Sequence, residues 1–309
     1  MITGGAGFVG SHLVEALLQD GAEITIVDDF SNSSDRNVKE IGGDKVKLVN
    51  KDIVDTDWSS LHSLDPDVIF HLATHPRSFS IQDPMRNMEV NVKGMLNMLE
   101  FARKKNSKVV YTSNTGIYGN PPSVPVDESF RDDPFTPYDA NKLIGEHYGR
   151  IFHKIHGLYF VTFRLATIFG ERQKINEKLG WHPVIPEFVQ LLLNNRVPTI
   201  HWDGKQTRDF TYVKDVVNGL ILGAKSNNAA GEVFNLSTNK ETSIMEVYQL
   251  ICKILNKDVK PTAGNALPGD IRRMRFSYDK AKRTLGYEPK YTLEESVRRY
   301  INWFQSAKN

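Results

Sequence analysis

Short runs rich in β-branched and aromatic residues punctuate the first half of the chain: EITIVD, KVKLVN, DVIFHL, KVVYTS and YFVTFRL. Amphipathic stretches such as Ser11–Gln19, Met88–Lys105 and Tyr138–His156 lie between them. Strands that are apolar almost throughout are buried on both faces, and helices between them supply the crossovers that parallel pairing requires. This alternation predicts an α/β fold built on a doubly wound parallel sheet. With 309 residues, 40% of them hydrophobic, the chain is long enough to bury a large core.

After Gly170 the regularity weakens. Prolines fall at 183, 186 and 198, and the connection from Glu171 to Pro183 has no clear period, the mark of a functional or mobile loop. Helices are expected at Pro186–Asn195 and Val213–Lys225, with a strand at Glu232–Leu236. Ser243 with Glu246, and Thr292 with Glu295, have capping-box spacing. The expected division is residues 1–166, with returns near 210–236, and a smaller mixed α/β lobe over 167–309 that takes the substrate.

The opening MITGGAGFVGSHLVEALL sets Gly4, Gly7 and Gly10 between a strand and a helix. Such glycines allow a sharp turn, close approach of a pyrophosphate and tight helix packing, while Phe8, Val9 and Gly10 offer N–H groups at the helix start. The same glycines also suit a plain strand-to-helix turn. About 20 residues on, the second strand ends at Asp28, where a carboxylate bonds ribose hydroxyls and repels a 2′-phosphate. That predicts a Rossmann-type domain holding NAD rather than NADP. Asp52, after the third strand, either meets the adenine or caps a helix. Only Met1 and Ile2 precede the turn, so the first strand is either trimmed or frayed.

Acidic and basic residues nearly balance, leaving a net charge of +2 without like-charge blocks, which argues against a nucleic-acid binder. The single cysteine, Cys252, sits in the apolar run YQLICKIL and reads as a buried structural thiol. No Cys/His cluster has zinc spacing, and no apolar run approaches the ~20 residues of a membrane span. The glycine-rich start lacks the pattern of a secretory signal, and the cytoplasm is the expected compartment. His71 reads as a structural strand-end residue and His75 as a groove residue.

In TPYDANKLIGEHYGRIF, Tyr138 and Lys142 stand four apart at the start of a helix and share a face. A nearby ammonium and an oxidised nicotinamide both favour the phenolate, which would make Tyr138 a general base. An amphipathic helix with a packed tyrosine and a solvated lysine gives the same spacing.

Taken in order, TGGAGFVGSHL, Asp28, KDI, HLAT, NVKG, SNTGIYG, PFTPYDANK, RLATIFGERQ, GKQTRDFTYVKDVV, GEVFNLS, PGDIRRMRFSYDKAKRTLGYEP and LEESVRRYINWF resemble the extended short-chain dehydrogenase/reductases, specifically the NAD-dependent sugar-nucleotide epimerases and dehydratases. The resemblance runs nearly end to end. It implies a bound NAD, with Tyr138 deprotonating a sugar hydroxyl and Lys142 bonding the nicotinamide ribose and lowering the tyrosine pKa. It also implies Leu72, Ala73 and Asn91 along the cofactor groove and Asp28, Asp52 and Ile53 at the adenosine end. Thr167, Val184, Arg208, Asp270 and Arg273 would contact a nucleotide-diphosphate sugar. Similar enzymes are commonly homodimers built from two helices per subunit, including the one bearing Tyr138.

Family dehydratases and decarboxylases carry a Glu two residues before the tyrosine of YG, where this chain has Gly116. Its absence favours a 4-epimerase of a UDP-hexose over a dehydratase or reductase, and retention of Tyr138 and Lys142 speaks against a non-catalytic NAD sensor. Two departures stand out. Asn114 occupies the place of the catalytic Ser or Thr; an amide donates a hydrogen bond but does not relay a proton as a hydroxyl does. Asn114 is therefore expected to hold the substrate oxygen, with Thr115 or Ser113 supplying the relay. Leu267 stands where a second phosphate arginine is expected, leaving Arg272 or Arg273 to compensate or to form a solvated basic cluster.

Overall fold

The computed structural model describes residues 1–34, 36–42, 45–55, 58, 61, 63–173, 175, 182–266 and 270–307. Seven parallel strands form the central sheet: β1 Ile2–Thr3, β2 Ile24–Asp28, β3 Val46–Asn50, β4 Val68–His71, β5 Lys108–Asn114, β6 Phe160–Leu165 and β11 Val233–Leu236. Their spatial order is β3-β2-β1-β4-β5-β6-β11. The order reverses at β1 and β4, and ligands bind at such switch points, outside the carboxyl ends of the strands. All five runs predicted as strands are in this sheet, with KVVYTS as an inner strand that continues through Asn114. The first strand spans two residues and lies between β2 and β4.

Helices cover both faces. On one, α1 (Phe8–Gln19) and α8 (Val213–Lys225) bury Leu13, Val216 and Leu220 against Ile26, Val110 and Phe234. On the other, α5 (Gly94–Lys105) and α6 (Pro137–His156) bury Met98, Leu99 and Phe152 against Ile69, Val109 and Phe160. Val109 and Val110 thus serve opposite faces, as the two-residue period of a strand requires. Each such apolar side chain contributes roughly 1.5–3 kcal/mol when fully buried.

Glycines bring α6 unusually close to the sheet. A Cβ on Gly149 would lie 1.9 Å from the Phe160 ring, and one on Gly145 would lie 2.4 Å from the Tyr111 hydroxyl. The buried Arg164 of β6 forks onto Glu146 of α6 at 2.7 and 3.1 Å, fixing the helix lengthwise.

The predicted helix Met88–Lys105 is three pieces: α4 (Pro84–Met88), a π-helical turn at Glu89–Lys93, and α5. Periodicity reads through a π turn because the extra residue adds to the helix without ending it. A third cluster forms the C-terminal lobe from α7 (Val184–Leu193), α9 (Ile244–Leu255) and α11 (Leu293–Ser306), and includes buried Cys252. Helix α7 starts and stops two residues before the predicted Pro186–Asn195, with Pro183 as its N-cap and Pro186 in its first turn. The Ser243–Glu246 capping box is complete, and Thr292 accepts from the Glu295 N–H. Among the described residues, no helix is long and apolar enough to cross a membrane.

Candidate active site

The glycine turn joins β1 to α1. Gly4 adopts a left-handed φ of +71°, and a Cβ there would meet Ala73 N at 2.7 Å. Gly10 lies so close that its Cβ would fall 2.4 Å from the Gly4 carbonyl oxygen. Gly7 is the N-cap of α1 and no side chain caps the helix, so the first-turn N–H groups of Phe8, Val9 and Gly10 have no side-chain acceptor. This cradle fits a pyrophosphate, and Leu72 and Ala73 back directly onto it: their N–H groups donate to Thr3 O and Thr3 Oγ1.

Asp28 is buried at the end of β2. Its carboxylate accepts from Ala6 N at 2.9 Å, Phe30 N at 3.0 Å and Ser33 Oγ at 2.8 Å. It therefore ties the glycine turn to the second strand, with one of about four acceptor sites left for a ligand. Asp52 accepts from Val54 N and pairs with Arg86 at 2.5 Å. The Ile53 side chain packs under α5, where a Cβ on Gly94 would lie 2.7 Å from it; its side chain serves the core rather than the groove. His71 is buried with its Nδ1 2.7 Å from Thr3 Oγ1, in the structural position expected of it.

Tyr138 and Lys142 occupy the first turns of α6, which Thr136 caps and Pro137 starts. Lys142 is buried and donates to the Thr112 carbonyl at 2.9 Å, its Nζ 4.9 Å from the Tyr111 ring centre and 5.8 Å from that of Tyr138. The solvated lysine of an ordinary amphipathic helix is thereby excluded. Burial pushes the Tyr138 phenol up to about 12; a hydrogen bond with the Thr74 side chain and the Arg77 charge oppose that rise, and Asp139 adds to it. Burial also pulls Lys142 down to about 7 against the attraction of Glu146.

The three candidates at the end of β5 diverge. Asn114 caps a single 3-10 turn, accepting from Gly116 N at 2.6 Å, while its Nδ2 is buried without a partner. Thr115 directs its hydroxyl to the Leu165 carbonyl at 3.3 Å. Ser113 Oγ is buried and unpartnered.

Sequence reasoning passed over Asp139 and Arg77. The Asp139 side chain is fully buried; its Oδ2 accepts from Thr136 Oγ1 at 2.7 Å and from Arg77 at 3.2 Å, leaving Oδ1 without a partner. A Cβ on Gly116 would lie 2.4 Å from that Oδ1. A carboxylate thus fills the space that a side chain at 116 would enter, delivered from the residue after Tyr138. Its sequence signal was ambiguous, because an Asp in the first turn of a helix reads as ordinary capping.

Several of the substrate candidates lie together: Arg208 pairs with Asp270, and Arg273 is tied to the same strand through Glu241, which also accepts from Thr207. Arg208 contacts Asp270 and donates to the carbonyls of Thr207 and Ile271 at 2.7 and 2.8 Å. Thr167 opens β7 (Thr167–Phe169), its N–H bonded to Asp209 O, and Val184 opens α7. Arg272 and Arg273 do not form a basic cluster: Arg272 forks onto Asp203 and stacks over Trp202, and Arg273 forks onto Glu241. Leu267 lies outside the described residues.

Comparisons with known proteins agree with this geometry. The sequence profile of the family described as GDP-mannose 4,6 dehydratase matches residues 1–300. The chain is 34% identical to the UDP-glucose 4-epimerase of Mycolicibacterium smegmatis, over 99% of this chain and 98% of that protein. It superposes with a TM-score of 0.93 at 32% identity on the UDP-N-acetylglucosamine 4-epimerase from Methanobrevibacter ruminantium M1, solved with UDP-N-acetylmuramic acid, over 99% of this chain and 97% of the other. The Thermus thermophilus UDP-glucose 4-epimerase, solved with NAD, gives a TM-score of 0.89 at 29% identity, over 99% and 98%. With the glycine cradle, the acidic end of β2 and the tyrosine and lysine of α6 on one sheet edge, the chain belongs to the GDP-mannose 4,6 dehydratase family of extended short-chain dehydrogenase/reductases, among the sugar-nucleotide epimerases and dehydratases.

Proposed function

We propose that the protein is an NAD-dependent epimerase of a nucleotide-diphosphate sugar, acting at carbon 4 of a UDP-hexose through a transient 4-keto sugar. The observation that carries this reading is the position of Tyr138 and Lys142 in the first turns of α6, with Lys142 bonded to the Thr112 carbonyl near the carboxyl end of β5, the same sheet edge at which the glycine turn leaves β1. Gly4, Gly7, Gly10 and Asp28 would hold the dinucleotide, with Asn91 and Ala73 along its groove. NAD, when bound there, would supply a reversible hydride acceptor for the sugar carbon. Tyr138 takes the proton of the sugar hydroxyl and gives it back, and Asn114 Nδ2 is the donor available to a sugar oxygen. Arg208 faces the diphosphate, with Asp270 holding its guanidinium until substrate arrives.

Asp139 favours a second reading. Its free oxygen beside Gly116 places a carboxylate where the sequence lacked one, so elimination of water has a candidate catalyst. Incubation with NAD and a panel of UDP-, CDP-, GDP- and dTDP-sugars separates the outcomes. An epimerase converts a UDP-hexose to an isomer of equal mass with no net redox change. Loss of water would establish a dehydratase, consumption of added NADH or NADPH a reductase, and no turnover of any sugar nucleotide the sensor.

The working unit is a homodimer. On α6, Ile144, Ile151 and Ile155 form one exposed stripe, with Ile155 70% exposed, and α4 adds exposed Met85 and Met88. Contiguous apolar surface of this kind marks an interaction face. Light scattering should give twice the monomer mass for the wild type and the monomer mass for Ile151→Asp combined with Ile155→Asp. A monomeric wild type would remove this assignment.

A further inference from the structure

We propose that Arg164 and Glu146 are positioning residues for Lys142. The Arg164 fork claims the Glu146 carboxylate, which leaves the Lys142 ammonium turned to the carboxyl edge of β5 instead of paired with the acid one turn along its own helix. The geometry stands without the proposed reaction, whereas the expected effect on turnover rests on the epimerase reading.

Lys142 and Glu146 stand four residues apart on α6, a spacing at which opposite charges meet across one helical turn, and both are buried. They nevertheless have different partners. Lys142 Nζ donates to the Thr112 carbonyl at 2.9 Å and sits 4.9 Å from the centre of the Tyr111 ring. The Glu146 carboxylate instead takes Arg164 of β6 in three contacts: Nε lies 3.1 Å from Oε1 and 3.2 Å from Oε2, and Nη2 lies 2.7 Å from Oε2. A planar guanidinium matches both carboxylate oxygens at once, whereas an ammonium is a point charge, so the arginine wins this acid. Arg164 is itself held on two further sides. Its guanidinium stacks over the Tyr118 ring at 4.7 Å, and Asp132 Oδ1 lies 3.0 Å from the same Nη2. Tyr118 is fixed in turn, donating to Asn235 of β11 at 2.8 Å.

Counted as ions, Lys142 and Arg164 are balanced by Glu146 and Asp132. Removing either member of the inner pair upsets this balance in a definite direction. Without the Glu146 charge, Lys142 keeps only the Arg164 cation as a neighbour and loses its proton more readily. Without Arg164, the acid is free to take Lys142, which draws the ammonium away from the edge of β5 and stabilises its charge. Shifts of opposite sign from the two substitutions are a signature that loss of packing does not produce. Among the described residues, the titratable groups facing Lys142 are Tyr138 and Glu146 from α6, Tyr111 from β5, and His71 of β4, with Arg164 of β6 behind Glu146. His71 stacks on Tyr111 and is kept neutral by burial, which pulls it down to about 3.

The test uses the NAD-loaded protein with its lysines isotopically labelled at Cε and followed by NMR. The Lys142 resonance is the one missing from Lys142→Met, and its movement with pH gives the Lys142 midpoint. Glu146→Gln keeps the shape and removes the charge, Arg164→Met removes the fork, and Arg164→Lys keeps a cation in that place. Glu146→Gln is expected to move the midpoint down by about one pH unit and Arg164→Met to move it up by a similar amount, with Arg164→Lys closer to the wild type. Arg164→Met should also lower kcat about 10²-fold with little change in KM for the sugar nucleotide that the wild type turns over, because the pair acts through Lys142. Midpoints that stay in place, or that move the same way in the glutamine and methionine variants, would overturn the proposal, as would opposite shifts with kcat unchanged. If Arg164→Met does not fold, Glu146→Gln decides alone: a downward shift supports the pair and an unmoved midpoint overturns it. Opposite shifts in a protein that turns over no sugar nucleotide leave the positioning in place and remove the epimerase reading.

Discussion

Tyr138→Phe is expected to lower turnover at least about 10³-fold while leaving NAD binding and thermal stability close to those of the wild type. The substitution removes one oxygen and keeps the ring that packs in the first turn of α6. No other described phenol is placed to substitute: Tyr111 donates to the Lys142 carbonyl, and Tyr118 bonds Asn235, away from the glycine cradle. Burial holds Tyr138 up near 12, so the phenolate is a minor species at neutral pH. Wild-type kcat/KM should accordingly rise with pH toward the operating pKa of the base, and the residual rate of the phenylalanine variant should not. Stopped assays across a pH series, with cofactor affinity followed by fluorescence, check both parts. A phenylalanine variant with wild-type kcat would remove Tyr138 from the mechanism.

Gly116→Ala should be nearly as damaging. The added methyl would fall 2.4 Å from Asp139 Oδ1 and 2.5 Å from Asn114 Oδ1, and neither oxygen has freedom to retreat. Asp139 is held by Thr136 and Arg77, and Asn114 by the Gly116 N–H itself. Relief must come from movement of the 3-10 turn or of the start of α6, the segment that carries Tyr138. Overpacking of this kind costs about 1–3 kcal/mol. A displacement of about 1 Å at the base is enough to lower kcat about 10²-fold. Gly116→Ala combined with Asp139→Ala removes the carboxylate half of the clash and should regain part of the lost stability, the contact with Asn114 Oδ1 remaining. Denaturant melts of the four members of this cycle test the coupling. Simple additivity would mean that the two residues do not share this space.

The architecture was legible because each strand is a short β-branched run and each crossover helix is amphipathic, both local properties of the chain. The shared face of Tyr138 and Lys142 was legible from a spacing of four, whereas the roles proposed for them came from the family resemblance. Asp139 was not legible: it matters only because the start of α6 lies against Gly116 in the turn after β5. The same limit explains Arg272 and Arg273, adjacent in sequence but drawn to Asp203 and Glu241 on separate loops. Direction of pKa shift was likewise invisible: charge pairs can be read from spacing, whereas desolvation depends on everything packed around a group.

The outermost strand of the sheet, β11, is contributed by residues 233–236, after the chain has already crossed into the C-terminal lobe and built α7 and α8. During synthesis the nucleotide-binding half therefore waits, with the backbone of β6 bare along its outer side, until the ribosome has delivered more than two thirds of the protein. A bare edge of this length invites pairing with a neighbouring chain. Severing the chain near Ala166 would yield two fragments that each lack part of the other's sheet or support.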